Sequence, residues 1–413
     1  MKRKIFLTLC FIMIVASTVY GGDNRVGLTL IPPGTITNKV DLDIRAGIVN
    51  QGTEQQDFKI SIYLNNVEQQ SLLHYSTITL PIGASHSIKY VLNTTDKVGN
   101  NRIILRVEDG KQSYEVTKKF EVIESDIRST RLIDGAWAGI YHWSEIEGKH
   151  WNADIKQMTD AQWHEMVRSM HNIGMDVIVI QEVFRNQEYV GQHKMNVDNY
   201  PGKAFYPSEL YPDRVPIMAH DPLEAILSEA DKLGMSVMMG VGMFAWFDFS
   251  AESLEWHKQV AKELWNKYGS HPSFYSFYIS EECAGNLYNS EQTYEMQLVR
   301  KKEICDFFRE FKKYIKKFAP EKPIMLATNS MGVLDGADAY PALLQNLDIL
   351  CPFGFARMPK GDLTGKEAAD ILQNFCDDAG AHLWFDLEAF LFNPDNSLYP
   401  RPIEEIIHDL TLL

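Results

Sequence analysis

The chain has 413 residues, 45% hydrophobic and 23% charged, with 40 lysines and arginines against 55 aspartates and glutamates and a formal net charge of −15. A chain of this length outgrows a single hydrophobic core and is expected to hold two domains. Its acidic balance argues against nucleic acid or an anionic membrane surface as a partner.

The N-terminus reads as an export signal. A basic start through Lys2, Arg3 and Lys4 precedes an apolar run over 5–16 and a small-residue cleavage site near Gly21. That run is too short to span a bilayer, and no other stretch is apolar for long enough. The expectation is therefore a signal peptide over 1–22 and an exported protein with no membrane-spanning segment after cleavage. Cys10 lies in the leader. Cys283, Cys305, Cys351 and Cys376 remain, too few and too widely spaced for a disulfide scaffold or a close-spaced metal pair. Buried free thiols are expected, with no metal and no cofactor.

Over 23–124 the pattern is short alternating runs separated by turns, and this region holds no tryptophan; all eight lie at or beyond Trp137. Runs starting at Val40, Phe58 and Arg102 each read as a strand with one buried face. Turns fall at Gly52, Gly83 and Gly99. About seven such strands suggest an all-β immunoglobulin-like sandwich, acting as a spacer or orienting module. A linker is expected over 125–132.

From 133 the rhythm becomes strand, loop, helix. Strands are expected over 133–140, 176–182, 236–242, 274–280, 324–328, 347–351 and 382–386. Helices are expected over 159–174, opened by a Thr159/Gln162 capping box, and over 221–234, 251–268, 290–318 and 366–378. This alternation predicts a TIM-type (β/α)8 barrel over 133–413. The eighth strand is missing, and 403–413 reads as a seventh helix cut short. The sequence-level expectation is thus a truncated barrel.

Catalytic side chains of such barrels collect at the C-terminal ends of the strands. Glu281 and Glu282 follow the fourth predicted strand, Asp386 and Glu388 the seventh, and Gln181 and Glu182 the second. Carboxylates on two different strands, facing across one pocket, suit glycoside hydrolysis. Aromatic residues near the same ends suit the C–H faces of sugars: Trp137, Tyr141 and Trp143, then Trp246 and Phe247, Phe353 and Phe355, and Phe390 and Phe392. Trp163, Trp256 and Trp265 fall on helices and suit packing against the barrel.

Several short blocks occur in one order: Trp151; Thr159-x-x-Gln162-Trp163; Gly174-Met-Asp-x-Ile-Val-x-Gln181; Leu233-Gly-Met-x-Val; Phe277-Tyr-Ile-x-x-Glu282; Leu383-Trp-x-x-x-Glu388. Together they resemble the exported bacterial glycosidase-like barrels of domain of unknown function 4434. In front of them, Asn50-x-Gly52 and Gly99-x-Asn101-x-Ile103-x-Leu105 resemble adhesion-type modules that precede bacterial glycosidases. The resemblance implies Glu282 as the strand-four acid, Glu388 as the strand-seven acid and Gln181 as the strand-two polar residue. Two departures stand out. Pro352-Phe353-Gly354 replaces an expected Gln-Asp pair, and Ser280-Glu281 replaces an Asn-Glu dipeptide, which leaves Glu281 a rival to Glu282.

The expected function is hydrolysis of glycosidic bonds in a polysaccharide or glycoconjugate, with a carbohydrate as the partner. Glu282 is expected as general acid/base and Glu388 as nucleophile, with retention of configuration. Gln181, Asp386 and Asn329 are expected to bind hydroxyls, and Trp137, Trp143 and Trp246 to stack on sugar. The alternatives are a non-catalytic glycan-binding or scaffold protein, and a hydrolase or lyase using one carboxylate with Tyr278. His142 stands alone, without the His-x-His of a metal hydrolase, and no Gly-rich phosphate loop is present.

Overall fold

The computed structural model describes residues 19–20, 24–142, 152–186, 190–211, 213–395 and 397–412. The leader reading therefore falls outside the described residues, apart from 19–20. Strands β1 (Val19–Tyr20), β2 (Asn24–Ile31), β3 (Gly34–Thr37), β4 (Leu42–Asn50), β5 (Gln56–Leu64), β6 (Leu72–Leu80), β7 (Ser85–Leu92), β8 (Gly99–Glu108) and β9 (Ser113–Ile123) form two sheets. Their orders are β1-β2-β4-β7 and β3-β9-β8-β5-β6, with β3 parallel to β9. Leu28, Ile44, Ile60, Leu105 and Val116 belong to one core shared by both sheets. In β5 the period of two is plain: Phe58, Ile60 and Ile62 are buried while Asp57 and Lys59 face water.

The C-terminal half contains β10 (Gly135–Ala138), α1 (Asn152–Gln157), α2 (Asp160–Asn172), β11 (Val177–Ile180), β12 (Phe184–Arg185), β13 (Lys203–Ala204), α3 (Pro222–Leu233) and β14 (Ser236–Gly240). It continues with α4 (Ala251–Tyr268), β15 (Phe274–Cys283), α5 (Tyr294–Ile315), β16 (Ile324–Thr328), α6 (Val333–Gly336), α7 (Tyr340–Leu344) and β17 (Ile349–Leu350). It ends with α8 (Gly365–Ala379), β18 (His382–Leu383), β19 (Phe390–Phe392), β20 (Leu398–Pro400) and α9 (Ile403–Leu412). Local chemistry sets the helix starts. Thr159 and Gln162 form the expected capping box, Asp221 caps α3 ahead of Pro222, and Thr364 with Glu367 caps α8. Trp163, Trp256 and Trp265 are buried in the core between helices and sheet. Among the described residues, no helix is long and apolar enough to cross a membrane. The four cysteines from Cys283 onward are free thiols.

The fold class expected from the sequence is corrected. β10, β11, β14, β15, β16, β17 and β18 lie in chain order as a seven-stranded parallel sheet, a half-barrel rather than a closed (β/α)8 barrel. The ladder thins to two residues in each of β17 and β18. After β18 the chain turns into the antiparallel β19–β20 hairpin and then α9, and neither pairs with β18 or β10. Small separate sheets accompany the large one, and the N-terminal half is the pair of unequal sheets above rather than an immunoglobulin-like sandwich.

The two halves meet at the N-terminal ends of the parallel strands. β4 is buried along its whole length, because its alternate polar face is covered by the C-terminal half. Gly27 and Gly47 sit directly opposite one another in β2 and β4. A Cβ on Gly27 would lie 2.4 Å from the Glu321 carboxylate, and one on Gly47 2.8 Å from the Glu321 backbone nitrogen. The paired glycines thus leave a slot for the loop before β16. Arg25 pairs with Glu321 in that slot, with a second bond at 3.0 Å, and lies 4.5 Å over the Trp265 ring. Beside it Arg45 bridges Asp43 (2.8 Å) and Asp348 (2.6 Å), and Lys312 also reaches Asp348 at 3.0 Å. Tyr275 at the start of β15 donates to the Leu30 carbonyl at 2.8 Å.

Candidate functional site

The inner face of the seven-stranded sheet is an apolar cluster that includes Val177, Val179, Met238, Tyr278, Met325, Ile349 and Cys351, closed at the junction end by Ile31. At the opposite, C-terminal end, Trp137 of β10 and Tyr278 of β15 meet edge to face, with ring centroids 4.9 Å apart. The Trp137 side chain hydrogen-bonds Asp386 just beyond β18. Burial, and then the neighbouring Glu388, push the Asp386 carboxyl up to about 7, against the opposing effect of the Trp137 bond. The Asp386 backbone N–H donates to the Pro352 carbonyl at 3.0 Å, which ties the strand-seven end to the loop after β17.

Glu282 is the next-to-last residue of β15, in the stretch after Ile279 where the register with β16 shifts. The Tyr278 hydroxyl is held well above its ordinary value, first by burial and then by Asp386, Cys351, Glu282 and Glu182. Carboxylates from β15, from beyond β18 and from beyond β11 thus surround one tyrosine. Glu388 is held by Arg357, whose Nε lies 2.9 and 3.0 Å from the two carboxylate oxygens and whose Nη2 lies 2.8 Å from one of them. The guanidinium also lies 5.7 Å from the centroid of the Phe353 ring. Phe353, in the position where the resemblance led to a Gln-Asp pair, therefore supports the arginine that engages Glu388.

Glu281 is held instead by the loop after β14. It is fully buried and accepts from the backbone N–H of Phe244 (2.5 Å) and of Ala245 (3.2 Å). Burial, followed by Asp248, drives its pKa well above the ordinary carboxylate value. Its position is that of a staple under the loop after β14 rather than a group facing the Tyr278 cluster. That loop carries Trp246, whose ring lies under the Arg185 guanidinium at 4.9 Å. Arg185 in turn pairs with Glu182 at 3.0 Å. Burial lifts Glu182 to about 7 despite Arg185.

Gln181 is exposed at the end of β11, its backbone N–H bonded to Ala138 at 3.1 Å. Asn329 is committed to the backbone, because its Oδ1 accepts from the N–H groups of Gly285 and Met331, both at 3.0 Å. Trp143 lies outside the described residues, as does Trp151. The structure therefore brings Glu282, Asp386 and Trp137 to bear on Tyr278, with Glu388 beside Asp386 and held by Arg357. It sets Trp246 in the adjoining loop, braced by Glu281 of β15, and leaves Asn329 a loop-holding residue. Sequence reading passed over Arg357, Arg185 and the burial of Glu182; what separates Glu281 from Glu282 is the hold of the Phe244 and Ala245 N–H groups on Glu281, beyond a register shift that strict alternation does not foresee. No group of His, Cys, Asp or Glu among the described residues is arranged to hold a metal ion.

Residues 133–413 match the family model described as a domain of unknown function, DUF4434, and the chain belongs to that family. No curated protein matches. Among solved structures, a Bacteroides uniformis beta-glucuronidase is 12% identical, with 94% of this chain and 43% of that chain covered and a TM-score of 0.40. A putative beta-galactosidase from Bacteroides fragilis is 10% identical, covering 94% and 52%, with a TM-score of 0.37. A Paenibacillus sp. cycloisomaltooligosaccharide glucanotransferase is 9% identical, covering 88% and 52%, with a TM-score of 0.39. The chain spans about half the length of these proteins or less.

Proposed function

We propose that this protein is an exported glycoside hydrolase that cleaves a polysaccharide or glycoconjugate with two carboxylates. The observation that carries the reading is that Glu282, from the end of β15, and Asp386, from beyond β18, both act on Tyr278, with Trp137 against the tyrosine ring and Glu388 acting on Asp386. Glycosidic cleavage needs one carboxyl that can hold a proton at neutral pH and one that is ionised. In this reading Glu282 is the general acid/base, in an apolar setting shared with Tyr278. Glu388 is the nucleophile, fixed in direction by Arg357. Asp386 with its raised pKa donates a hydrogen bond to a substrate hydroxyl, Gln181 reaches a second hydroxyl, and Trp137 and Trp143 stack on the sugar. Glu281 acts through the Trp246 loop that it braces.

Retention requires carboxyl groups about 5–5.5 Å apart, whereas roughly 6.5–9.5 Å leads to inversion. One observation favours a second reading, a non-catalytic glycan-binding protein: both oxygens of Glu388 are already engaged by Arg357. The test is release of reducing sugar from a panel of polysaccharides and aryl glycosides, with Glu282→Gln and Glu388→Ala beside the wild type. Turnover that both substitutions abolish supports the hydrolase. Glycan retention without turnover, unchanged by either substitution, moves the protein to the binding class.

A further inference from the structure

We propose that the β19–β20 hairpin is a stacking platform for sugar rings, an added subsite beside Glu388 that makes a glycan chain, rather than a single sugar, the ligand. The inference rests on the carbohydrate reading above. Phe390 and Phe392 are 37% and 49% exposed, yet they are large apolar rings. Two apart on one strand, they share a side of the hairpin and meet edge to face, with centroids 5.6 Å apart and planes at 85°, so one ring backs the other. Their cross-strand partners on that face are Pro400 and Leu398, so the whole face is apolar. An exposed apolar patch of this kind on a soluble protein marks a contact surface.

The hairpin is built firmly enough to present those rings. At its tip the Asn393 N–H donates to the Ser397 carbonyl at 2.8 Å, and the Asn393 amide donates to the Ser397 hydroxyl at 3.0 Å. At its base Arg401, only 8% exposed, donates its backbone N–H to the Ala389 carbonyl at 2.9 Å. The Arg401 guanidinium reaches the Glu388 carbonyl at 3.4 Å and pairs with Asp409 at 2.7 Å and Glu405 at 3.1 Å on α9. One buried arginine therefore fixes the platform to the backbone of the residue proposed as nucleophile. The platform starts two residues beyond Glu388, a separation that extended backbone limits to about 7 Å. Flat phenyl faces offer C–H contacts to pyranose rings of any linkage and read no charge, which fits a neutral chain.

The experiment is affinity electrophoresis of the full chain through gels cast with xylan, laminarin, mannan or pullulan. It compares the wild type with Phe390→Ala/Phe392→Ala and with Phe390→Tyr/Phe392→Tyr, which keeps both rings and controls for folding. We expect retardation of the wild type by at least one polymer, about tenfold weaker binding in the double alanine variant, and binding kept in the double tyrosine variant. Equal retardation of wild type and double alanine variant overturns the proposal, as does the absence of retardation by every polymer. A wild-type dimer that the alanine pair converts to monomer in sedimentation also overturns it, by giving the face to a second copy. Retardation does not need turnover. Loss of hydrolysis across the panel therefore sinks the hydrolase reading alone, whereas loss of the alanine effect sinks the platform alone.

Discussion

The two ends of the parallel sheet both bury carboxylates, and they treat them in opposite ways. At the N-terminal ends burial works to raise the Glu321 carboxyl, but Arg25 and Lys322 outweigh it and hold the group down at about 2. Asp348 is likewise held far below the usual range, burial being outweighed by Arg45 and Lys312. Asp43 follows the same pattern through His382 and Arg45. At the C-terminal ends burial prevails. Asp386 and Glu182 rise to about 7, and Glu281 goes well above its ordinary value. Burial is common to both sets; what differs is how many cations each acid meets. A carboxylate met by several cations anchors the halves together, whereas one whose burial outweighs its partners, as for Glu182 against Arg185 alone and Asp386 beside Glu388, keeps a proton near neutrality, which is what acid–base chemistry uses.

The largest expected effect breaks the junction. Arg25→Ala leaves Glu321 charged, buried and without its guanidinium partner, and should cost about 3–5 kcal/mol, measured by urea or thermal unfolding. Arg25→Met with Glu321→Leu removes both charges and should cost clearly less than Arg25→Ala alone. Equal losses would show that the slot works through shape rather than charge. Gly47→Ala tests the shape directly, because its methyl would meet the Glu321 backbone 2.8 Å away. A loss of about 1–3 kcal/mol is expected, and an unchanged midpoint would mean that the loop before β16 gives way at no cost.

A third prediction uses pH to separate the two ends. Asp386 has its folded pKa raised, so between about 4, where the unfolded carboxyl loses its proton, and about 7 the folded state binds more protons. Its contribution to stability therefore falls as pH rises through that window. The junction acids lean the other way, because their folded pKa values are depressed. Their stabilisation is present above about 4 and is lost as pH falls toward the lower folded values. Asp386→Asn should flatten the decline of the unfolding midpoint between pH 5 and 8 while leaving the acid-side loss in place. If the hydrolase reading holds, the same variant should also shift the neutral-pH limb of kcat/KM. A midpoint profile identical to that of the wild type would remove Asp386 from the set of raised acids.

What the sequence made legible was local. The capping box at Thr159, the helix starting at Asp221 and the alternation of β5 each depend on residues within a few positions of one another. Glu282 lies at the end of β15, as the run before it implies, whereas Glu388 lies five residues beyond the short β18. What was not legible depends on distant partners. Asp43 and Arg45 alternate with apolar residues as a solvent-facing row does, yet Asp348, some three hundred residues on, buries them. Arg357 and Glu388 come together across 31 positions, and nothing near either residue announces the pair. Sheet closure is also a global property: seven βα repeats read as most of a barrel, whereas the ladder shortens at β17 and β18 and the chain leaves the sheet.

The smallest expected effect lies at the rim of the junction, where Arg128 reaches Asp377 of α8 at 2.8 Å with both side chains about half exposed. This pair joins the same two halves as Arg25 and Glu321 and has equally good geometry, so it isolates burial as the variable. Exposed ion pairs gain little, because water and salt screen the attraction and two long side chains lose freedom. Arg128→Ala should therefore cost less than about 1 kcal/mol, and the loss should shrink further as ionic strength rises. The Arg25→Ala loss should hold nearly constant over the same salt series, since Arg25 and Glu321 are both buried. If the two substitutions proved equally costly and equally salt-sensitive, the slot would be wet, and its acids would have no more in common with a buried anchor than a surface pair has.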